Sequence, residues 1–180
     1  MTHATIDVPD LVRSGELLVV ASVSGGKDST AMMLALREAD VPFRAVFADT
    51  GWEAAETYAY LDTLRARLGI AIDVVGIEGG MYARIRHRAG FPARMQRWCT
   101  RELKIYPLRD YHDRVIEAEG RETVSAMGVR AAESESRAKM AVFVDEPASD
   151  RSWGGYLWRP LLAWSVADVL DIHCRHDVPI

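Results

Sequence analysis

The chain has 180 residues, of which 49% are hydrophobic and 27% charged, and its formal net charge is −4 at pH 7. This balance is typical of a soluble globular protein and excludes a disordered chain. No apolar stretch is long enough to cross a membrane, the first ten residues lack the pattern of a signal peptide, and the two cysteines form no disulfide framework. We therefore expect one domain over residues 1–180, in the cytoplasm.

Strands and helices are predicted in alternation along the chain. The predicted strands cover Leu17–Val23, Phe43–Ala48, Ala71–Ile77, Thr123–Val129, Met140–Val144 and Tyr156–Leu162. The predicted helices cover Ser29–Ala39, Ala54–Leu68, Pro107–Ala118 and Ser165–His176, and residues 78–96 are expected to form a long connection. Such alternation predicts an α/β fold with a doubly wound, mostly parallel sheet flanked by helices. Ligands of these sheets bind beyond the carboxyl ends of the strands.

The first predicted strand is followed directly by SGGKDS, residues Ser24–Ser29, which opens the first predicted helix. Gly25 and Gly26 permit positive φ and a close approach of the backbone to a ligand. The amides after them lie at a helix N-terminus, whose partial positive charge favours an anion, and Lys27 adds a full charge. The P-loop pattern does not fit, because Asp28 stands where it needs a hydroxyl residue. These features predict a phosphate-binding turn, with a ligand-free βα turn as the alternative.

Three further groups of polar residues follow predicted strands. Asp28, within the loop, is a candidate ligand for Mg²⁺ or a cap of the first helix. Asp49 comes at the end of the second strand. A carboxylate there is expected to accept a hydrogen bond from a ribose hydroxyl or an adenine amine, and the alternative is that it caps the next helix. After the fourth strand, two arginines flank a glutamate in a fork suited to phosphate or sulfate, with a salt-bridged surface helix as the alternative. This group consists of Arg130, Glu133, Ser134 and Arg137.

A basic segment lies between Tyr82 and Lys104. It holds seven lysine or arginine side chains and one acid, a charge of +6 that leaves −10 on the rest of the chain. The segment therefore indicates an anionic ligand, or else a solvated arginine-rich loop. Arg97 and Lys104 are candidate phosphate ligands. Cys99 lies between them, where positive charge favours a reactive thiolate, although a buried, inert cysteine is the alternative.

Five motifs in order resemble the phosphoadenosine phosphosulfate (PAPS) reductase-like branch of the adenine nucleotide alpha-hydrolase superfamily, the PP-loop ATP pyrophosphatases. SGGKDS is similar to the pyrophosphate loop, and ADTG with the following ETY is similar to the segment after the second strand. The other three motifs are WCTRELKIYPL (98–108), GVRAAESESRAK (128–139) and WRPLLAWSVADV (158–169). The resemblance covers about Leu17 to Asp177.

The resemblance implies an adenine nucleotide-binding enzyme that takes ATP or a sulfonucleotide, with Mg²⁺. The reaction implied is pyrophosphate release with adenylyl transfer, or else sulfur transfer. The residues implied in nucleotide binding are Ser24, Gly25, Gly26, Lys27, Asp28, Ser29, Asp49, Arg97, Lys104, Arg130, Glu133, Ser134 and Arg137. Those implied in catalysis are Lys27, Cys99, Arg130 and Arg137.

The sequence also departs from the reductases it resembles. Trp98 stands beside Cys99 where cluster-binding relatives have a second cysteine, and no C-x-x-C follows, so an iron–sulfur cluster is not expected. No cysteine lies beyond Cys174, and the chain ends at Ile180 where relatives continue, so we expect a truncated chain or a short member of the family.

Three alternatives therefore stay open. One is a protein like the ATP sulfurylase small subunit, which would need a GTPase partner. Another is a DNA phosphorothioation-type protein whose residues 82–104 face nucleic acid, although nucleic acid is not the expected ligand. The last is a nucleotide-binding subunit, acting with a partner or as a homodimer, that has no activity alone.

Overall fold

The computed structural model describes residues 3–93, 95–145 and 155–180. Its strands are β1 (Leu18–Val23), β2 (Phe43–Asp49), β3 (Ile72–Gly76), β4 (Thr123–Met127), β5 (Phe143–Val144) and β6 (Tyr156–Trp158). Its α-helices are α1 (Asp10–Arg13), α2 (Lys27–Glu38), α3 (Ala55–Leu68), α4 (Gly80–Arg88), α5 (Trp98–Thr100), α6 (Tyr106–Glu119), α7 (Glu135–Ala138) and α8 (Val166–Arg175). A π-helical turn, Arg101–Ile105, joins α5 to α6, and a 3₁₀ turn, Ala131–Glu133, precedes α7.

The strands of the described residues form one sheet in the order β3-β2-β1-β4-β6-β5. Neighbouring strands are parallel except β5, which pairs with β6 in the antiparallel sense. The chain builds outward from β1 to β2 and β3, then returns to place β4 on the other side of β1. The strand order therefore reverses between β1 and β4, which makes their carboxyl ends the switch point where ligands of such sheets bind. The predicted doubly wound, mostly parallel sheet is confirmed.

Helix α2 lies at the centre of the core because it packs against both the sheet and α8. Every residue from Ala31 to Leu36 is buried, including the predicted apolar positions Met32, Met33 and Leu36. A helix buried on this many sides needs apolar residues around most of its circumference, which the sequence AMMLAL supplies. The core thus holds the first turn of α2 firmly at the end of β1.

Two regions differ from the predicted elements in the middle of the chain. Residues 78–96 are predicted to be a connection, but they contain α4. The helix begins at Gly80, where a Cβ would lie only 2.5 Å from the carbonyl oxygen of Thr50, so glycine is needed for the helix to start against the turn after β2. The segment before α6 is also helical, since α5 and the π-helical turn extend α6 backward to Trp98.

The two last predicted strands are shorter than expected. Of Met140–Val144 only Phe143–Val144 pairs, and of Tyr156–Leu162 only Tyr156–Trp158 pairs. Pro160 accounts for the second boundary, since proline has no amide to donate to a neighbouring strand. The predicted capping box of α8 is present: the Ser165 hydroxyl accepts from the Asp168 amide at 3.2 Å, and Asp168 accepts from the Ser165 amide at 2.7 Å. Among the described residues, no helix combines the length and apolar character needed to cross a membrane.

Candidate functional site

The loop Ser24–Ser29 bridges the end of β1 and the start of α2. Gly25 adopts a φ of +73°, and a Cβ there would lie 2.9 Å from Cγ2 of Thr57, so only glycine fits without strain. The amide and the hydroxyl of Ser24 each lie 3.1 Å from the Ser29 Oγ, which in turn donates to the Gly26 carbonyl at 2.9 Å. Ser24 and Ser29 therefore close the loop internally, and their side chains fix its shape.

The N-terminus of α2 has no side-chain cap. Gly26 is the N-cap residue in an extended conformation, and no side chain accepts a hydrogen bond from the first turn within the described part of the chain. Since the first amides of a helix have no partner inside the helix, those of Lys27, Asp28 and Ser29 are available to a ligand. The twelve-residue helix also adds the positive end of its dipole at this point. Such a helix start is suited to an anion.

Asp28 holds two cationic side chains beside the loop. Its Oδ1 accepts from Arg130 Nε at 2.5 Å, and its Oδ2 accepts from Lys27 Nζ at 2.8 Å. The Arg130 side chain is only 5% exposed and that of Lys27 is 36% exposed. Burial alone raises the pKa of the Asp28 carboxyl, but its bonds to Lys27 and Arg130 outweigh that effect and hold the pKa below its usual value. The carboxylate thus stays charged and orients a buried guanidinium toward the loop.

The segment after β4 faces the loop across the switch point. A Cβ on Gly128 would lie 2.6 Å from the carbonyl oxygen of Asp28 and 2.9 Å from the Ser29 amide nitrogen, so glycine allows the two backbones to meet. Glu133 accepts from the Arg130 amide at 2.9 Å and pairs with Arg137. Burial alone raises the pKa of Glu133, but the hydrogen bond from the Arg130 amide and the ion pair with Arg137 outweigh that effect. The pKa of Glu133 therefore lies below its usual value. The Ser134 hydroxyl accepts from the Arg137 amide at 3.2 Å and caps α7.

These two segments enclose a cavity of about 280 Å³. We call it the loop cavity. Its predicted site residues are Ser24, Gly26, Asp28, Ser29, Glu133 and Arg137, and Ser22 with Met127–Val129 completes the wall. Lys27 and Arg130 join the group through their bonds to Asp28. The structure thus brings together most residues predicted to bind phosphate.

Asp49 lies farther along the same sheet edge. Its Oδ1 accepts from the Gly51 amide and from the Tyr58 hydroxyl, both at 2.8 Å, and the bond to Asp49 raises the pKa of Tyr58. Asp49 lines a second cavity of about 370 Å³ with residues from the end of β3 and the start of α4, among them Gly76 and Gly80. We call it the strand-end cavity. The carboxylate keeps one oxygen, Oδ2, with no hydrogen bond to the described residues.

Arg97, Cys99 and Lys104 do not line the loop cavity. Lys104 Nζ lies 3.6 Å from a carboxylate oxygen of Glu53, in the turn after β2, and Arg97 lines a separate cleft. Cys99 is half-buried on α5. All three were predicted at the site, but they lie on or beside α5 and the π-helical turn, which follow the crossover from β3.

His173 is a contact of the loop that the sequence does not reveal. The imidazole is fully buried on α8, with Nε2 2.8 Å from the Lys27 carbonyl oxygen and Nδ1 3.1 Å from the Val178 carbonyl oxygen. It therefore joins the start of α2 to the turn after α8. A histidine within HCRH carries no spacing signal that points to a loop 146 residues away.

The residues present do not form a magnesium site of their own. Both carboxylate oxygens of Asp28 already have cationic partners. The described residues contain no group of three histidine, cysteine, aspartate or glutamate side chains arranged to hold a metal ion. A magnesium ion bound here would need most of its oxygen ligands from phosphate and water.

Comparison with known proteins identifies the family. The model of the phosphoadenosine phosphosulfate reductase domain matches residues 18–180. An uncharacterized 37.8 kDa protein of Escherichia phage 186 is 31% identical over 88% of the chain, which spans 60% of the phage protein. A phosphoadenosine 5′-phosphosulfate reductase of Alkalilimnicola ehrlichii is 30% identical over 94% of the chain, which spans 65% of that enzyme. The match thus spans less than two thirds of the length of either relative.

Solved structures share the same fold. The PAPS reductase of Candida auris, solved as a phosphate complex, superposes with a TM-score of 0.63 at 16% identity, covering 98% of this chain and 91% of that one. The NMN synthetase of Francisella tularensis superposes with a TM-score of 0.59 at 17% identity, covering 94% of this chain and 66% of that one. The family match over residues 18–180 includes the loop, the segment after β4 and the sheet that brings them together. The chain belongs to the phosphoadenosine phosphosulfate reductase domain family.

Proposed function

We propose that the chain is a single nucleotide-binding domain of an enzyme that acts on an adenine nucleotide, either ATP or a sulfonucleotide. The phosphates bind in the loop cavity. The observation that supports this most strongly is the uncapped N-terminus of α2 beside the buried guanidinium of Arg130. Free amides and a fixed cation at one point suit an oxyanion far better than a neutral ligand.

Each part of the site has a role in this proposal. The amides of Lys27–Ser29 bind phosphate oxygens, and Lys27, which is partly exposed, turns from Asp28 to the bound phosphate. Arg130 and Arg137 approach from the segment after β4 and neutralise charge that develops on the leaving pyrophosphate of ATP or, in reduction, on the leaving phosphate of the sulfonucleotide. Such a site works mainly by positioning and charge neutralisation. Glu133 keeps Arg137 in place through their ion pair.

The adenosine part is proposed to lie along the carboxyl ends of β1, β2 and β3, over the strand-end cavity. Asp49 Oδ2 would accept from a ribose hydroxyl or from the adenine amine. Glycines at positions 76 and 80 shape this surface, because they let β3 and the start of α4 pack against the backbone of Asp49 and Thr50, where a Cβ would collide. Mg²⁺ would arrive with the nucleotide, held by phosphate oxygens, and would add positive charge.

The proposed reaction with ATP is transfer of the adenylyl group to an acceptor with release of pyrophosphate. It needs only the cations and amides of the loop cavity. Reduction of a sulfonucleotide is the second candidate, favoured by the 30% identity with the Alkalilimnicola ehrlichii enzyme. That reaction needs a thiol at the sulfur atom, and Cys99 does not line the loop cavity. A partner subunit or a second copy of the chain would supply what this domain lacks.

Calorimetric titration with ATP and with PAPS tests the binding proposal. We expect Lys27→Ala to weaken binding of the preferred nucleotide at least about tenfold, because one charge-assisted contact contributes about 1.5–3 kcal/mol. Arg121→Ala is the matched control, since it removes one exposed positive charge before β4, at the opposite edge of the sheet. Equal affinities of wild type and Lys27→Ala would refute the phosphate role of the loop. A pyrophosphate-release assay then separates an enzyme from a subunit that only binds.

A further inference from the structure

A second basic surface lies outside the loop cavity. Arg88, Arg97 and Arg101 line a cleft of about 450 Å³ together with Met95, Gln96 and Trp98. We call it the basic cleft. It shares no lining residue with the loop cavity or the strand-end cavity among the described residues. The proposed nucleotide site therefore does not account for it.

A single buried acid organises the arginines of this region. Glu102 is 8% exposed and pairs with Arg88, while Arg84 Nε lies 3.6 Å and Arg101 Nη2 3.9 Å from its carboxylate. One negative charge thus faces three guanidinium groups. Arg97 has no carboxylate within 4.0 Å in the part of the chain that the structure describes, so a net charge of about +3 remains around the cleft.

The cleft is a shaped surface with fixed side chains. Trp98 is 6% exposed, and the guanidinium of Arg88 lies over its ring at 5.6 Å from the centroid. This stacking and the bond to Glu102 hold Arg88 in one orientation. A planar guanidinium held in this way binds a phosphate through two parallel hydrogen bonds.

Two exposed aromatic rings belong to the same basic segment of the chain. Phe91 is 72% exposed and follows Arg88 by three residues, so its Cα lies within about 11 Å of that arginine. Tyr82 on α4 is 62% exposed, with the guanidinium of Arg86 5.8 Å from its ring centroid. Large rings exposed to this degree next to arginines are suited to stacking on nucleobases. A small free anion would make no use of them.

We propose that the basic cleft binds the backbone of a single-stranded nucleic acid, with the rings of Phe91 and Tyr82 stacking on unpaired bases. Three guanidinium groups on two elements, the end of α4 and the turn around α5, match successive phosphates. The remainder of the chain carries a net charge of −10 and repels a polyanion, so binding is confined to this face. This inference rests on the cleft alone and does not depend on the proposed nucleotide site.

Fluorescence anisotropy with a labelled single-stranded oligonucleotide of about 20 residues tests the inference. The test variant is Arg97→Glu/Arg101→Glu, which leaves the buried Arg88–Glu102 pair intact. The control is Arg13→Glu/Arg121→Glu, which makes the same charge change on exposed side chains ahead of β1 and β4. We expect the cleft variant to bind at least about tenfold more weakly than the control, and its salt dependence to fall by about 1.4 in log–log slope, since each single-strand phosphate contact contributes about 0.7.

Two further measurements make the outcome specific. Phe91→Ala is expected to weaken binding at least about fivefold, because stacking on one base is worth that much or more. ATP titration of the cleft variant is expected to give the wild-type affinity, which separates the basic cleft from the loop cavity. Equal binding by the cleft and control variants, or tighter binding of a duplex of the same sequence, would overturn the proposal. So would loss of ATP binding in the cleft variant, since the cleft would then belong to the nucleotide site.

Discussion

At the scale of single residues, the site depends on how Asp28 and Glu133 place three cations. Asp28 holds Lys27 and Arg130, and Glu133 holds Arg137. The two arginines differ in burial, because the Arg130 side chain is 5% exposed and that of Arg137 is 40% exposed. Burial decides what each ion pair contributes to folding. Removing one partner of a buried pair leaves a charge without compensation, whereas an exposed pair is screened by solvent.

The variant Arg130→Ala should therefore destabilise the fold far more than Arg137→Ala. We expect a loss of about 3–5 kcal/mol in the free energy of unfolding for Arg130→Ala, because Asp28 stays in place without its buried partner. Arg137→Ala should change it by no more than about 1 kcal/mol. Urea denaturation measures both values. Equal losses in the two variants would show that Arg130 is not the buried anchor of Asp28.

The residues of the site differ in how far the sequence predicts them. Lys27, Asp28, Arg130 and Arg137 were predicted because they follow strands whose ends meet in a parallel sheet, and the structure brings these four together. His173 could not be predicted, because its contact with Lys27 depends on how α8 packs on α2. Arg97, Cys99 and Lys104 were also predicted at the site, but they follow α4 and lie outside the loop cavity. Charge and motif order do not reveal where the chain runs after a crossover, so their positions could not be predicted.

At the scale of elements, the approach of two strand ends creates the site. β1 and β4 pair directly, and the turns that follow them meet at Gly128 and the start of α2. The order of strands and the buried positions of α2 follow from the alternation of apolar runs, so they are predictable. Helix α4 is not predictable from the sequence, because its start depends on the contact between Gly80 and Thr50 rather than on a local sequence pattern. The short pairing of β5 is likewise a tertiary contact.

The variant Gly128→Ala tests this close approach. Its Cβ would lie 2.6 Å from the Asp28 carbonyl oxygen, and the three nearest atoms that it would meet all belong to the backbone, so the start of α2 must shift. We expect a loss of about 1–3 kcal/mol in stability and weaker nucleotide binding. Gly90→Ala is the control, because the nearest atom to its Cβ would be 3.9 Å away, and its effect should stay within about 0.5 kcal/mol. Similar melting temperatures for the two variants would contradict the account.

At the scale of the whole molecule, charge and topology divide the carboxyl edge of the sheet into separate surfaces. The loop cavity lies at the switch point between β1 and β4, and the strand-end cavity lies toward β3. The basic cleft belongs to α4, α5 and the turn between them. One nucleotide can extend over the first two cavities, because they open along neighbouring strand ends of one sheet. We therefore infer that the third surface serves a different ligand.

A crystal structure of the chain with bound ATP would show where the nucleotide lies. We expect phosphate oxygens about 2.7–3.2 Å from the amides of Lys27–Ser29, with Arg130 and Arg137 beside them and adenosine near Asp49. Phosphates bound only in the basic cleft, with the first turn of α2 making no contact to the nucleotide, would contradict the proposed nucleotide site.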